Sequence, residues 1–185
     1  FYITAPRGEI FDINEEKIVR TVLEPHLFIN LRKITNQNLS NYKQIIQYNF
    51  PELDDTEINE IFDSKDILSS VINLSNVEYE VRNNLLINYD AFEIFDLPIR
   101  HYIQNELFAH TIGYLGKPNQ EDTGEFINAL FNNQVGKNGL ERQYEDFLSG
   151  VSGEVIFEGS KIIDFKQPIP GNDLFLSIDT LTQSV

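Results

Sequence analysis

No cysteine occurs among the 185 residues, which excludes a disulfide framework and any thiolate metal site. Methionine is missing too, the initiator included, and the chain stops at Gln183-Ser184-Val185, so a piece of a longer protein is expected. No run approaches the ~18–20 apolar residues that a helical membrane span requires. Basic residues are scarce, 14 against 29 acidic ones, for a net charge of −15. Phosphate backbones and anionic lipid headgroups would repel such a chain, and nucleic acid is set aside as a partner. The acidity reads as a solvated surface. What remains is 41% hydrophobic and rich in Phe and Tyr, enough to bury roughly 70% of the surface that the unfolded chain exposes.

Alternation marks strands near both ends. Leu27, Ile29 and Leu31 alternate with Phe28 and Asn30, the pattern of a half-buried strand. Gly153–Phe157 and Lys161–Phe165 flank Gly159-Ser160 as a hairpin, and Leu174, Leu176 and Ile178 form another strand after the Pro168–Asn172 turn. The middle reads as helical. Ser40 is placed to cap a helix carrying Tyr42, Ile45 and Ile46, and Ser75 with Glu78 has the spacing of a capping box ahead of Val77, Val81 and Leu85. Further helices are predicted over Glu121–Phe131, with Phe126 and Leu130 one turn apart, and over Gly139–Leu148, closed by Gly150. The acidic stretch Pro51–Asp66 reads as an exposed loop and short helix. The expected fold is α+β: a strand-rich base from residues 1–31 and 93–185, with an inserted helical lobe over 32–92. Narrow apolar faces predict a loosely packed, mobile lobe where partner contacts gather.

Chemical motifs fail on inspection. Ser40-Asn41-Tyr42-Lys43 matches S-x-x-K, the nucleophile signature of penicillin-recognising serine enzymes. That chemistry also needs S-x-N or S-D-N and K-T-G; no S-x-N occurs, and Lys137-Asn138-Gly139 lacks the hydroxyl. Gly113–Lys117 is too short for a phosphate loop and is followed by Pro118. Asp54–Glu57 lacks the ligand spacing of a calcium loop. His26, His101 and His110 show no i, i+4 pairing. The sequence calls for no catalytic residue, cofactor or metal site, and a carboxylate-based hydrolase, which would need a cleft with paired acids, has nothing specific behind it.

Four segments in order resemble the N-terminal region of class B penicillin-binding proteins. Pro6-Arg7-Gly8-Glu9-Ile10-Phe11-Asp12-Ile13-Asn14 is similar to P-R-G-x-I-x-D-R-N-G, with Ile13 in place of Arg and Glu15 in place of Gly. Arg100-His101-Tyr102 followed by Ala109-His110-Thr111-Ile112-Gly113-Tyr114-Leu115-Gly116 resembles R-x-Y-P then A-H-x-x-G-Y-x-G, with Ile103 in place of Pro. The stretch Gly136 to Gly150, containing Gly139, Glu141 and Tyr144, matches G-x-x-G-x-E-x-x-Y-E-x-x-L-x-G. Pro170-Gly171-Asn172-Asp173-Leu174 through Asp179 resembles P-G-x-D-L-x-L-T-I-D.

The resemblance implies the non-catalytic pedestal, or dimerisation region, of a membrane-anchored serine-type D,D-transpeptidase at the periplasmic face of the bacterial inner membrane. The anchor and catalytic domain would lie outside this sequence. Ala109–Gly116 and Leu74–Glu78 look more like the elongation type than the division type. A division-type pedestal and a free-standing extracytoplasmic binding module stay as alternatives. Implied partners are a glycan polymerase, a rod-shape scaffold protein and a second copy of the chain. Arg7 and Glu141 are candidates for a charged pair, against the local alternative in which Asn138 and Glu141 form a capping box. Gly8 suits a positive φ or a close strand approach, and Gly136 and Gly171 suit turns.

Incubation with a β-lactam is expected to leave the intact mass of this 185-residue piece unchanged. A stoichiometric adduct on Ser40 would show that the S-x-x-K match is functional.

Overall fold

The structure, a computed structural model, describes residues 2–103, 105–125 and 134–180. The first elements are strands β1 (Tyr2–Ile3), β2 (Ile10–Phe11) and β3 (Lys17–Asn30), followed by helices α1 (Leu39–Asn49) and α2 (Asp55–Asp63). Next come β4 (Leu68–Asn73), α3 (Tyr79–Asn88), β5 (Phe92–Tyr102), α4 (Asn105–Ile112), β6 (Leu115–Gly116) and α5 (Gln120–Glu125). The last are β7 (Val135–Gly136), α6 (Gly139–Gln143), α7 (Glu145–Leu148), β8 (Gly153–Glu158), β9 (Lys161–Lys166) and β10 (Leu174–Phe175). The fold is α+β.

Two compact units are present. One contains Glu24–Asp96 and Ile156–Ile163; the other contains Tyr2–Leu23, Leu97–Val155 and Asp164–Val185. The expected lobe, 32–92, falls within the first.

In the first unit β4 pairs antiparallel with the C-terminal half of β3, with a register shift between Leu27 and Phe28. Leu27, Phe28, Ile29 and Asn30 are all buried, so this is not the half-exposed strand that alternation suggests. Leu27 and Ile29 face the helices, while on the other side Phe28 meets the Phe95 ring edge-on and Asn30 donates to the Ser160 carbonyl, and a strand buried on both sides has no polar face to show. The core joins Leu27 and Ile29 to Tyr42, Ile45, Ile46 and Phe50 of α1, Ile58 and Ile61 of α2, and Leu85 of α3. Tyr42, Tyr89 and Phe92 meet edge-to-face at 5.5–6.2 Å between centroids. The lobe thus has a buried apolar core of its own, broader than the narrow apolar faces suggested. Even the acidic stretch supplies core: Asp54 and Glu57 form a reciprocal capping box that starts α2 and sets Ile58 and Ile61 inward.

Other local expectations are corrected by competing hydrogen bonds. Ser75 does not cap α3, because its N–H donates to Asn73 Oδ1 and its hydroxyl to Glu24 Oε2; Glu78 is the cap residue. Ser40 lies inside α1, after Asn38. Beyond Glu125, the helix predicted over Glu121–Phe131 falls outside the described residues. The strand over 174–178 is formed only at Leu174–Phe175. β4, β5 and α4 are additional elements that patterning did not mark.

In the second unit β2 pairs antiparallel with the start of β3 and parallel with β10. β1 pairs with β8, and β6 with β7. Its core gathers Ile10, Ile18, Val19, Phe108, Ile112 and Leu148, with Leu140, Leu174 and Ile178 packed around them.

Ile46→Ala is expected to destabilise the protein by about 2–5 kcal/mol, since Ile46 is fully buried in the first unit's core. Tyr48→Ala, at a side chain 86% exposed on the same helix, is expected to stay within about 0.5 kcal/mol. Chemical denaturation checks both, and equal effects would contradict the assigned core.

Candidate functional site

A cluster of buried charge lies in the second unit and is assembled from three distant stretches. Pro6-Arg7-Gly8 connects β1 to β2, Arg100 comes from β5, and Glu141 and Glu145 come from α6 and α7. Four residues apart, the two glutamates project from one side of the helical segment. Such a like-charge pair is unfavourable in an isolated helix and needs compensating cations. Arg7 supplies the first. Its Nε donates to Glu141 Oε2 at 3.0 Å, its Nη1 to Glu145 Oε1 at 3.0 Å, and its Nη2 to the Glu141 carbonyl at 3.2 Å. Arg100 supplies the second, its Nε donating to Glu141 Oε1 at 2.9 Å. Arg100 Nη1 donates to the Gly8 carbonyl at 2.6 Å and to Thr21 Oγ1 at 2.9 Å, and the Thr21 hydroxyl donates to the Arg7 carbonyl at 2.9 Å. Both glutamates are fully buried, and Arg7 is 6% exposed.

The pairing of Arg7 with Glu141 is thus the arrangement observed, and the capping-box alternative is not. Asn138 makes no cap bond and instead accepts from the Tyr114 N–H at 3.1 Å. The single helix predicted over Gly139–Leu148 is broken at Tyr144, which has φ −111° and ψ 27°. Tyr144 and Phe147 consequently point outward, while the buried side of the segment is Glu141, Glu145 and Leu148.

Backbone fit explains two glycines. Gly8 needs no positive φ; a Cβ there would lie 1.7 Å from the Asn172 carbonyl oxygen, so the role is close approach. Gly136 is not the expected turn residue. It lies in β7, where its N–H donates to Glu145 Oε2 at 2.8 Å and a Cβ would meet the Glu141 carbonyl at 2.2 Å. Gly171 packs against the Leu148 carbonyl and donates its N–H to the Pro6 carbonyl at 2.9 Å. Gly113, Gly139 and Gly150 fall at bends around α4, α6 and α7. His110, in the last turn of α4, is exposed and stands apart from the cluster.

Burial pushes the Glu145 carboxyl up, against the opposing pull of Arg7 and the Gly136 N–H. Burial and then the Glu141 charge push the Tyr102 hydroxyl up strongly; it donates to Glu141 Oε1 at 3.4 Å. Two guanidiniums and two carboxylates sum to zero, and their hydrogen bonds are mutual. The arrangement is a cross-link.

Asp12 forms a second knot. Its buried carboxylate accepts from Thr180 Oγ1 at 2.7 Å and from the N–H groups of Asn14 and Glu16, while Asn14 Nδ2 also donates to Asp179. Burial raises its pKa, but these donors outweigh it and bring the value to about 2. Asp122 forms a third knot, held far below the usual carboxylate range by Lys137, the Asn119 N–H and Arg142. Glu145, Thr21, Thr180 and Asp122 were not singled out by sequence. Only Glu145 had a signal: it fills the second glutamate position of the Gly136–Gly150 pattern and stands four residues from Glu141.

Ser40 and Lys43 border a shallow groove of about 320 Å³ in the first unit, but the Lys43 ammonium goes to Asn59 Oδ1 at 2.5 Å and sits over the Phe62 ring. Among the described residues, no group of three or more His, Cys, Asp or Glu could hold a metal ion, and no helix is long and apolar enough to cross a membrane.

The family model of the penicillin-binding protein dimerisation domain matches residues 2–176. The chain belongs to this family. Among curated proteins, the peptidoglycan D,D-transpeptidase MrdA of Acinetobacter baumannii is 38% identical over 88 residues, covering 43% of this chain and 13% of the relative. MrdA of Haemophilus influenzae is 34% identical over 107 residues, 51% of this chain and 16% of the relative. The matched stretches thus span less than a fifth of those proteins. Among solved structures, the complex between penicillin-binding protein 2 and MreC from Helicobacter pylori matches the whole chain at TM-score 0.77 and 24% identity, covering 36% of that chain. The H. pylori penicillin-binding protein 2 solved by itself matches at TM-score 0.68. The dimerisation-domain fold is shared with these structures.

Glu141→Gln leaves two guanidiniums over one carboxylate and is expected to cost about 3–5 kcal/mol, read by denaturant titration. For Asp12 the folded pKa lies below the unfolded one, so its contribution is present above about pH 4 and lost as the pH falls through about 2. The stability gap between wild type and Asp12→Asn is therefore expected to close over that range. A gap unchanged at pH 2 would contradict the assignment.

Proposed function

We propose that this chain is the pedestal and partner-interaction domain of a peptidoglycan D,D-transpeptidase acting in cell elongation at the periplasmic face of the inner membrane. The family match over residues 2–176 carries the reading, and the MrdA relatives favour the elongation type over the division type. The transpeptidase chemistry belongs to the rest of the protein. The pedestal contributes rigidity: a cross-linked second unit is suited to hold a catalytic domain at a fixed distance from its anchor.

The first unit carries the partner surface in this reading. α3 buries Leu85 but turns Tyr79, Leu86 and Ile87 to solvent, Ile87 being 82% exposed. An apolar helical face of this kind is a usual feature of protein contacts. The partner is a rod-shape scaffold protein, supported by the MreC complex of the H. pylori relative. A glycan polymerase is the second member of the assembly.

Ile87→Asp in the full-length protein is expected to weaken scaffold binding at least about tenfold, as loss of a buried interface side chain does, with unchanged thermal stability. Unaltered affinity would remove α3 from the interface. Depletion of the protein is expected to give round cells; filaments would instead assign it to division.

A further inference from the structure

Arg100 is 4% exposed, and two of its three guanidinium nitrogens are engaged: Nε with Glu141, and Nη1 with Gly8 and Thr21. The third, Nη2, is buried with no hydrogen-bond partner among the described residues. A buried donor of this kind is rare in folded proteins and calls for an acceptor. Arg100 also lines a cavity of about 10 Å³, bounded by Thr4, Ala5, Pro98, Leu115 and Gln134. That volume is about the space one water molecule needs in a protein interior.

We propose that this cavity is a binding site for a single ordered water, which accepts from Arg100 Nη2 and donates to polar groups of Thr4 and Gln134. Charge favours a neutral occupant. Arg7, Arg100, Glu141 and Glu145 already cancel, so an anion would leave an uncompensated negative charge within a chain of net charge −15. Size agrees, since chloride is larger than water. The site also has a route to solvent. Thr4, Pro98 and Gln134 line both the cavity and an open groove of about 630 Å³ bordered by Leu97, Ile99 and Lys117. The water completes the hydrogen bonding of the Arg100 guanidinium, the arginine that ties β5 to the Arg7 loop.

The test is a crystal structure of the full-length protein at a resolution that orders individual waters, with a parallel bromide soak. The expected result is one fully occupied water about 2.7–3.2 Å from Arg100 Nη2, with no anomalous signal there. NMR cross-relaxation between the Arg100 guanidinium protons and a long-lived water is the matching solution result. A dry cavity, a direct bond from Nη2 to a protein oxygen such as Gln134 Oε1, or an anomalous bromide peak at the site would each overturn the proposal.

Discussion

The second unit depends on the pair of carboxylates that α6 and α7 bury side by side. Neither is affordable alone, because the effective penalty for burying an unpaired ion is several kcal/mol. Arg7 answers both at once, with Nε and Nη2 on Glu141 and Nη1 on Glu145. Arg100 takes the remaining Glu141 oxygen and fastens the Gly8 carbonyl, so the loop bearing Arg7 cannot shift without breaking the cations' bonds as well. The planar, five-donor guanidinium makes this possible; an ammonium would supply charge without the forked geometry.

That constraint propagates outward through the backbone. With Arg7 fixed, Gly8 lies between the end of α7 and the Asn172 turn, its N–H on the Leu148 carbonyl at 2.9 Å. Leu174 and Leu176 then donate to Glu9 and Phe11, which sets the parallel β10–β2 pairing. Asp12 continues the same line by gathering Asn14, Glu16 and Thr180. Charge and close backbone contact fix the register here, while the apolar core around Ile10, Val19 and Leu148 supplies bulk burial.

The first unit is built on the opposite principle. Its centre is apolar, with aromatic edges around Tyr42 and helices that contribute one to three buried side chains each. Its polar groups at depth are few and satisfied, as with Asn30, which bonds Ser160 and Arg32. α3 is held by buried Leu85 with Val81 packed beside it and turns Tyr79, Leu86 and Ile87 outward, an arrangement compatible with a docking face that leaves the core intact.

The hairpin at Gly159-Ser160, the helix carrying Tyr42, Ile45 and Ile46, and the family itself were all legible in the sequence, because turn chemistry, 3.6-residue periodicity and motif order are local or linear signals. The Arg7–Glu141 pairing was legible only as one of two options, since a helix-start glutamate serves a cap equally well until its neighbours are known. Other features were decided by tertiary structure alone. Phe28 and Asn30 are buried because Phe95 and the Ser160 turn meet the side of β3 opposite the helices, which alternation along one strand cannot register. Ser75 yields its capping role because Glu24 and Asn73 reach it first. Gly136 is required because the Glu141 carbonyl, five residues on, passes 2.2 Å from where its Cβ would stand, which depends on how closely α6 folds back on β7. The residue types along the chain set which side chains would seek burial or pairing; the fold set with whom, because desolvation is a property of each residue while its compensation depends on partners brought from elsewhere in the chain, as Arg7 is brought to Glu145 across 138 positions.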